Sequence, residues 1–420
     1  MLKKKTITNQ NIYIFVTLYI SLIIGFYFGE NLNFGSRNDW FGANINPIKD
    51  FSNDFTATLL NYEMYNHRHS PVYLIFLSLF HKIGLPYDLI RFIHLNFSLI
   101  LIYAFFKCLK FKFNQIDLNI LFLISISILL SPTLRSLSIW PDTRLIGLII
   151  FTFSILDFLK FQQSKKLFLF YRSILILIFS SYVSPNFSVF IIFYFIYFYK
   201  KVSSNNFIYA IFICILLSIP AFYYLFVLDV NFLLAKTPGA NEFSPQGFNL
   251  NISNKLMIIS TIIFFHLLPF ILNKKFLNGL VKSLKTNFLY IIPLFLVNII
   301  FFNYKNDFTG GGVFFQLSYY LTKNNFIFYF ACFISFCTMA YFIKSSYVNL
   351  IIFSILILSN IQNTIYHKYF DPLILILFFT IINHHSIKDF LNKKFNLVYL
   401  YLFYLTYILL RFVKNTFFLY

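Results

Sequence analysis

Residues 130–149 read LSPTLRSLSIWPDTRLIGLI and join two apolar runs across a short polar break. The break contains Arg135, Asp142 and Arg144, together with one of the two tryptophans of the chain. Two apolar runs that meet at a charged break are typical of two membrane-spanning helices joined at the membrane surface. The fold class therefore depends on whether this pattern recurs along the rest of the chain.

The pattern recurs from end to end. The chain has 420 residues, of which 59% are hydrophobic and 11% are charged, with a mean hydropathy of +0.73. A soluble domain carries about a quarter of its residues as charged side chains. The apolar runs are about 15–20 residues long, which suits helices that cross a bilayer, whereas a membrane barrel shows strands of about ten alternating residues. The sequence therefore predicts an all-α, polytopic transmembrane helical bundle.

About 13 spans are predicted within a single membrane domain that covers residues 1–420. The predicted spans are 11–29, 89–106, 118–132, 143–159, 173–184, 186–199, 207–228, 255–272, 287–302, 325–343, 347–360, 370–383 and 397–413. The net charge of +20 does not indicate nucleic acid, because the lysines are spread over short loops, where basic residues set membrane orientation.

One further apolar stretch, PVYLIFLSLFHKI at 71–83, is predicted to be a helix in the outer interface rather than a span. Counting it as a span would place Lys107, Lys110 and Lys112 outside, against the positive-inside rule. The resulting topology has the N-terminus inside, the C-terminus outside and residues 30–88 as the first outer loop. Most acidic residues then face outside as well, so chemistry is expected on the outer face.

Acidic residues of two outer segments are the candidate catalytic groups. Asp39 lies in the first outer loop, and Asp142 lies just before the span that begins near Thr143. Carboxylates at a membrane surface can act as a general base, orient an acceptor or bind a metal ion. Two alternatives stay open: the loop acids pair with nearby Arg and Lys, and Asp142 serves only as a negative charge at a helix N-terminus.

Two further outer segments carry polar residues of interest. His367 and Lys368 are predicted at an outer helix mouth, where cations meet a lipid phosphate or act as interfacial anchors. Residues 303–324 are predicted as an outer loop in which Gly310–Gly312 form a flexible connection, with an anion held by the backbone amides as the alternative. The sequence shows no HExxH, GxSxG, P-loop or CxxC motif, and no evident charge chain inside the spans of the kind that proton-coupled transporters use.

The order of these parts resembles the GT-C superfamily of membrane glycosyltransferases, in particular the branch with aminoarabinose transferase and the protein mannosyltransferase-like enzymes. A first helix is followed by an acidic loop with Asp39, by HSPVYLIFLSLFHKIG at 69–84, and by a second outer break with Asp142. The proline-led stretch is similar to the juxtamembrane segment of the family. The similarity covers about residues 10–160, although HSP replaces the usual double proline and Asn precedes Asp39 where the family has a second acid.

The resemblance implies a GT-C-like core module at 10–230, followed by additional transmembrane helices at 231–420. It implies a glycosyltransferase that moves a hexosyl or pentosyl group, with inversion, from a polyprenyl-phosphate or polyprenyl-diphosphate carrier to an acceptor glycan, lipid or protein. The reaction would take place on the extracytoplasmic face of a bacterial inner (plasma) membrane. Membrane lipids are expected partners, and nucleic acid is not.

Residue roles also follow from the resemblance. Asp39 would contact and deprotonate the acceptor, and Asp142 would hold the acceptor or a metal ion. The candidate substrate-binding cations are Arg37, Arg68, His69, Arg144, His367 and Lys368. The lipid-linked sugar is the donor, and a divalent ion, Mg²⁺ or Mn²⁺, stays open as a cofactor.

Two other functions stay open. A polysaccharide polymerase of the Wzy or EpsG type shares the lipid-linked substrate and the many helices, but it usually carries its key residues in a large central outer loop. A lipid-linked sugar transporter or flippase would place charged residues deep inside its spans and show a repeat between its halves. Here the longest outer loop comes first and no repeat is evident, which favours the transferase.

Overall fold

The computed structural model of the chain describes residues 6–33, 35–65, 68–230, 232, 250–305 and 310–417. Regular structure in these ranges is helical and includes no β-strand, which confirms the predicted all-α class. Eight of the described helices are long and apolar enough to cross a membrane, and two bent helix pairs would raise the number to ten. These helices indicate a multi-pass membrane protein.

The predicted count of about 13 spans is not confirmed, because five predicted ranges do not form straight helices of full length. Three of them form helices of 17 residues or fewer, namely Leu167–Val183, Pro185–Phe198 and Tyr347–Leu358. At 1.5 Å per residue these reach about 18–26 Å, which is short of a ~30 Å hydrocarbon layer. The other two are bent pairs, Leu118–Leu130 with Pro132–Ile139 (67°) and His367–Thr380 with His385–Leu391 (97°).

The chain divides into two compact units. The first comprises Met1–Pro238 and Tyr404–Tyr420, and the second comprises Gly239–Phe403. The first unit contains α1 (Asn9–Tyr27), α2 (Gly35–Asp39), α3 (Ile45–Asn53), α4 (Phe55–Leu60), α5 (Pro71–Lys82), α6 (Tyr87–Lys112), α7 (Leu118–Ser127), α8 (Pro132–Ile139), α9 (Thr143–Ser164), α10 (Leu167–Val183), α11 (Phe190–Phe198) and α12 (Ser204–Phe222). The second contains α13 (Ile252–Ile271), α14 (Lys274–Phe301), α15 (Gly312–Thr322), α16 (Phe326–Ile343), α17 (Tyr347–Leu358), α18 (Leu373–Thr380) and α19 (His385–Leu391). The last helix, α20 (Phe395–Phe417), crosses the division after Phe403.

Helix α9 is the centre of the first unit and packs against α6 and α10. Gly147 allows a close approach on one side of α9, because a Cβ atom here would lie 2.5 Å from the Cβ atom of Ser184 and 2.9 Å from the ring of Phe187. The Ser180 hydroxyl donates a hydrogen bond to the Gly147 carbonyl oxygen at 2.8 Å. Small residues at helix contacts are the usual device for close packing in membranes. The position of α10 on α9 therefore depends on Gly147.

The segment predicted as the first outer loop contains α5, the helix that the sequence predicts at 71–83. It begins at Pro71, which occupies the first helical position, and the Ser70 hydroxyl accepts the Val72 backbone N–H at 3.3 Å. Twelve residues give a helix of about 18 Å, so α5 is too short to cross a membrane. The helix is confirmed, and its place in the outer interface stays a prediction.

Helix α13 is the centre of the second unit and packs against α14, α15, α16, α17 and α18. Residues 312–322 of the segment predicted as an outer loop form α15, which the sequence analysis did not predict. The outer placement and the flexible glycine connection stay predictions, and Gly310 lies against the chain at Ile365. A Cβ atom on Gly310 would be 2.6 Å from the Ile365 carbonyl oxygen, and its φ of +114° suits glycine alone.

We expect Gly147→Ala to lower the thermal unfolding midpoint of the detergent-solubilised protein, because the added methyl group must displace Ser184 or Phe187. Overpacking of this kind costs about 1–3 kcal/mol. Gly42→Ala is the matched control, since a Cβ atom on Gly42 meets nothing within 4 Å. Equal midpoints for the two variants would show that α9 and α10 are not closely packed at Gly147.

Candidate functional site

The site begins at the N-terminus of α9, where Asp142 is the capping residue. Its Oδ1 atom accepts the Arg144 backbone N–H at 2.8 Å, and the residue is 1% exposed. A carboxylate in this position satisfies a helix N–H group that has no partner within the helix, and it interacts favourably with the helix dipole. The prediction that Asp142 lies at the helix N-terminus as a cap is therefore confirmed. The other contacts of its carboxylate decide whether Asp142 also has a functional role.

The guanidinium group of Arg144 connects Asp142 to Asp39. Its Nε atom donates to Asp142 Oδ1 at 2.9 Å, and its Nη2 atom contacts Asp142 Oδ2. The same Nη2 atom lies 3.9 Å from Asp39 Oδ2, at the end of α2. Asp39 and Asp142 thus lie on one cation, and this contact agrees with the alternative that the acids pair with a nearby arginine.

The electrostatics keep Asp142 ionised. Burial by itself would raise the pKa of the carboxyl group. The charge and hydrogen bonds of Arg144, together with the charge of His69, outweigh burial and hold the pKa of Asp142 below its ordinary value. Asp142 is therefore a buried anion at neutral pH, and Arg144 is its positive partner.

Two buried residues that the sequence analysis missed lie near Asp142. The Tyr73 hydroxyl contacts His94 Nδ1, and His94 Nε2 lies 2.8 Å from the Leu137 carbonyl oxygen. Because a carbonyl only accepts, His94 Nε2 carries the hydrogen and Nδ1 accepts the Tyr73 proton. The charge of Asp142 acts on both side chains. The sequence feature that could have identified this pair is His94, a histidine inside the apolar helix α6.

Arg37 lies on an aromatic surface beside the acids. Its guanidinium carbon is 5.7 Å from the Trp140 ring and 5.9 Å from the Phe41 ring. Arg91 also lies on Trp140, at 3.9 Å, and it donates to the exposed Asp88 carboxylate at 2.8 Å. Arg91 was not among the predicted site residues, and it adds a second cation next to this tryptophan.

A buried ion pair that the sequence analysis also missed supports the loop before α9. Arg135 donates from Nε and Nη2 to the two carboxylate oxygens of Glu30, at 2.7 Å each. Its other hydrogen bonds go to Ser21 of α1. The Trp140 indole N–H also donates to the Glu30 carbonyl oxygen, at 2.8 Å. These contacts hold the polar break of residues 130–149 against the end of α1.

The remaining predicted residues are Arg68, His367 and Lys368. Arg68 is half-buried and precedes the cap of α5 by two residues. His367 and Lys368 belong to the second unit, where His367 contacts His266 and Lys368 lies 5.3 Å from the Tyr366 ring. The structure therefore brings together Asp39, Asp142 and Arg144, with His69 close by, and places His367 and Lys368 in the other unit.

The acids do not fit a metal site. Among the described residues, no group of three or more His, Cys, Asp or Glu side chains could hold a metal ion. Asp39 and Asp142 instead lie on a guanidinium group, which occupies the place that a cation would take between them. No Mg²⁺ or Mn²⁺ ion therefore enters the mechanism proposed below.

Comparison with known proteins adds no relative. No protein-family model matches the chain, and no curated protein or solved structure matches it. The resemblance to the GT-C superfamily therefore stays a prediction that rests on the residues themselves.

We expect Arg144→Gln to destabilise the protein at neutral pH by about 3–5 kcal/mol, since it leaves a buried carboxylate without its cation. In the wild type, the lowered pKa of Asp142 stabilises the fold at neutral pH, and this stabilisation is lost as pH falls through the folded pKa. In the variant, burial raises the pKa of Asp142, so the stability lost relative to the wild type should become smaller as the pH falls. Thermal unfolding midpoints measured across pH 7 to about pH 4 test this.

The double variant Asp142→Asn/Arg144→Gln is the control. Asparagine caps a helix as well as aspartate does and carries no charge, so most of the lost stability should return at neutral pH. Equal destabilisation of the single and double variants at every pH would contradict the assignment of a buried, Arg144-dependent anion.

Proposed function

We propose that the chain is a membrane glycosyltransferase that moves a sugar from a polyprenyl-phosphate carrier to an acceptor glycan, lipid or protein on the extracytoplasmic face. The observation that best supports the proposal is the convergence of Asp39 and Asp142 on the one guanidinium group of Arg144. The resemblance to GT-C enzymes calls for two acids from successive outer segments, and these are the two acids at those places.

The two acids differ in access, which gives them different roles. The Asp39 side chain is 31% exposed, whereas the Asp142 side chain is 2% exposed. Asp39 is therefore the carboxylate that an acceptor can reach. Asp142 orients Arg144 and so acts as a positioning residue.

The transfer step follows from these roles. Asp39 takes the proton of the acceptor hydroxyl, and the oxygen electron pair forms a bond to the anomeric carbon of the sugar. The bond from that carbon to the phosphate oxygen breaks, and the carrier leaves as a polyprenyl phosphate with the bonding electrons. Cations near the acids, with Arg37 the exposed one on Trp140, stabilise the departing charge.

We expect Asp39→Asn to reduce sugar transfer by at least about 100-fold, because the variant keeps the size of the side chain and loses the base. Asp142→Asn should also reduce transfer, since it releases Arg144. The measurement is the glycan profile of the host envelope by mass spectrometry, at matched expression. Loss of the same single sugar in both variants is the expected result.

Asp54→Asn is the matched control for these variants. Asp54 is an exposed acid of the same loop, and its carboxylate accepts the Ala57 N–H at 2.9 Å to cap α4, a role that asparagine can keep. Its glycan profile should equal the wild type. Unchanged glycans in Asp39→Asn and Asp142→Asn would show that Asp39 is only a solvated loop residue and that Asp142 only caps α9. A change from long polymers to short ones would favour a polymerase instead.

A lipid-linked sugar transporter is the second candidate, and one observation favours it. Transporters place ionisable residues deep inside their spans, and the second unit contains the buried residues His266, His367 and Asp371. Movement of a labelled lipid-linked sugar across reconstituted vesicles, with no sugar transferred to any acceptor, would establish transport and overturn the transferase.

A further inference from the structure

Two arginines of the first unit lie on the same tryptophan ring. The guanidinium carbon of Arg91 is 3.9 Å from the centre of the Trp140 ring, and that of Arg37 is 5.7 Å from it. The ring of Phe26 also lies on Arg91, at 4.8 Å. Aromatic faces attract cations, but the two like charges repel, and the charge of Arg37 acts on Arg91. An anion bound to both guanidinium groups would relieve this repulsion.

The side chain of Arg91 has hydrogen-bonding capacity that the described protein does not use. It is 10% exposed. Its Nε atom donates to the Ile139 carbonyl oxygen at 3.3 Å, and its Nη1 atom donates to Asp88 at 2.8 Å. Its Nη2 atom is buried and has no hydrogen-bond acceptor among the described residues. A buried donor without an acceptor is costly, so an anionic ligand can supply what Nη2 lacks.

The charges of the two arginines are only weakly compensated. Asp88, the ion-pair partner of Arg91 in the described part of the chain, is 84% exposed, and an ion pair with so exposed a carboxylate is weak. Arg37 is exposed and forms no ion pair with any described residue. Two positive charges at one ring match the nearly two negative charges of a phosphate monoester. The Nη1 and Nη2 atoms of one guanidinium group also suit two phosphate oxygens.

The two arginines lie near the ends of two candidate spans. Phe26 is the last residue but one of α1, and Arg91 is four residues, or about 6 Å, after the first residue of α6. Both helices are long and apolar enough to cross a membrane. Tryptophan at the end of a span is typical of the level of the lipid headgroups. We therefore expect a phosphate at this ring to be attached to a lipid chain.

We propose that Arg37 and Arg91, held on Trp140, form a binding site for the phosphate monoester end of a membrane lipid. The Nη1 and Nη2 atoms of Arg91 donate to the phosphate oxygens, and the phosphate takes the place of Asp88. Arg37 adds the second positive charge.

Within the proposed function, the ligand is the polyprenyl phosphate that leaves after transfer, and this identification rests on that function. The donor is a phosphodiester with one negative charge, whereas the leaving carrier has close to two. Two arginines therefore stabilise the transition state, in which the second charge develops, more than they stabilise the bound donor.

The test is a fluorescence titration of the full-length protein in nonionic detergent, because Trp40 and Trp140 are the only tryptophans of the chain. Trp40→Phe leaves Trp140 as the single reporter, and the same titration of the wild type shows whether this substitution changes the affinity. The probes are dodecyl phosphate and inorganic phosphate at about pH 8, where a monoester has close to two negative charges. We expect saturable binding of dodecyl phosphate, and binding of inorganic phosphate at least about tenfold weaker, because the alkyl chain adds apolar contact.

Arg91→Gln and Arg37→Gln should each weaken the binding of dodecyl phosphate by at least about tenfold, because each removes a charged hydrogen-bond donor. Arg37 is exposed, so its variant tests the site without disturbing a buried side chain. Lys49→Gln is the matched control, since Lys49 is an exposed cation of α3 in the same predicted loop. Its affinity should equal that of the protein with Lys49 in place.

The absence of saturable binding of dodecyl phosphate would overturn the proposal. Equal weakening by Lys49→Gln and Arg37→Gln would overturn it as well, because it would show general charge attraction. Equal affinities for dodecyl phosphate and inorganic phosphate would overturn the assignment to a lipid. The titration contains no sugar donor, so its failure would not bear on Asp39, whose test is the glycan profile.

Discussion

The ion pair between Asp142 and Arg144 is the interaction on which the first unit depends. A single carboxylate caps α9 and binds the Arg144 guanidinium, which lies 3.9 Å from Asp39 at the end of α2. Removing either partner would leave a charge buried in an apolar surrounding, which is far more costly than never burying the pair. The start of the central helix and the arrangement of the candidate site therefore depend on the same contact.

Two further arginine–carboxylate pairs occur in this unit. Glu30 is held by Arg135, and Asp157 of α9 accepts from Arg172 of α10 through two hydrogen bonds of 2.5 and 2.6 Å. Each pair joins two elements that are separate in the sequence, so these charges add specificity to helix packing that apolar contacts do not supply. Bidentate arginine is suited to the task because its charge is permanent and its geometry matches a carboxylate.

The second unit meets the constraint differently. Its buried acid, Asp371, acts on His266, whose ring is hydrogen-bonded to His367. Imidazole changes its charge near neutral pH, whereas guanidinium does not. The first unit thus joins its elements through guanidinium–carboxylate pairs, whereas the second unit joins α13 to the segment before α18 through a hydrogen bond between two imidazoles.

The sequence by itself determined the all-helical membrane class, the helix at 71–83 and the capping place of Asp142, because hydropathy, proline position and helix caps are local properties. It also singled out Asp39, Asp142 and Arg144, which the structure brings together. Tertiary structure alone decided the bends at Ser131 and after Thr380, the helix at Gly312–Thr322 and the contacts of Glu30 with Arg135 and of His266 with His367. The two side-chain contacts join residues 105 and 101 positions apart, and a hydropathy pattern contains no information on which distant polar side chains will meet.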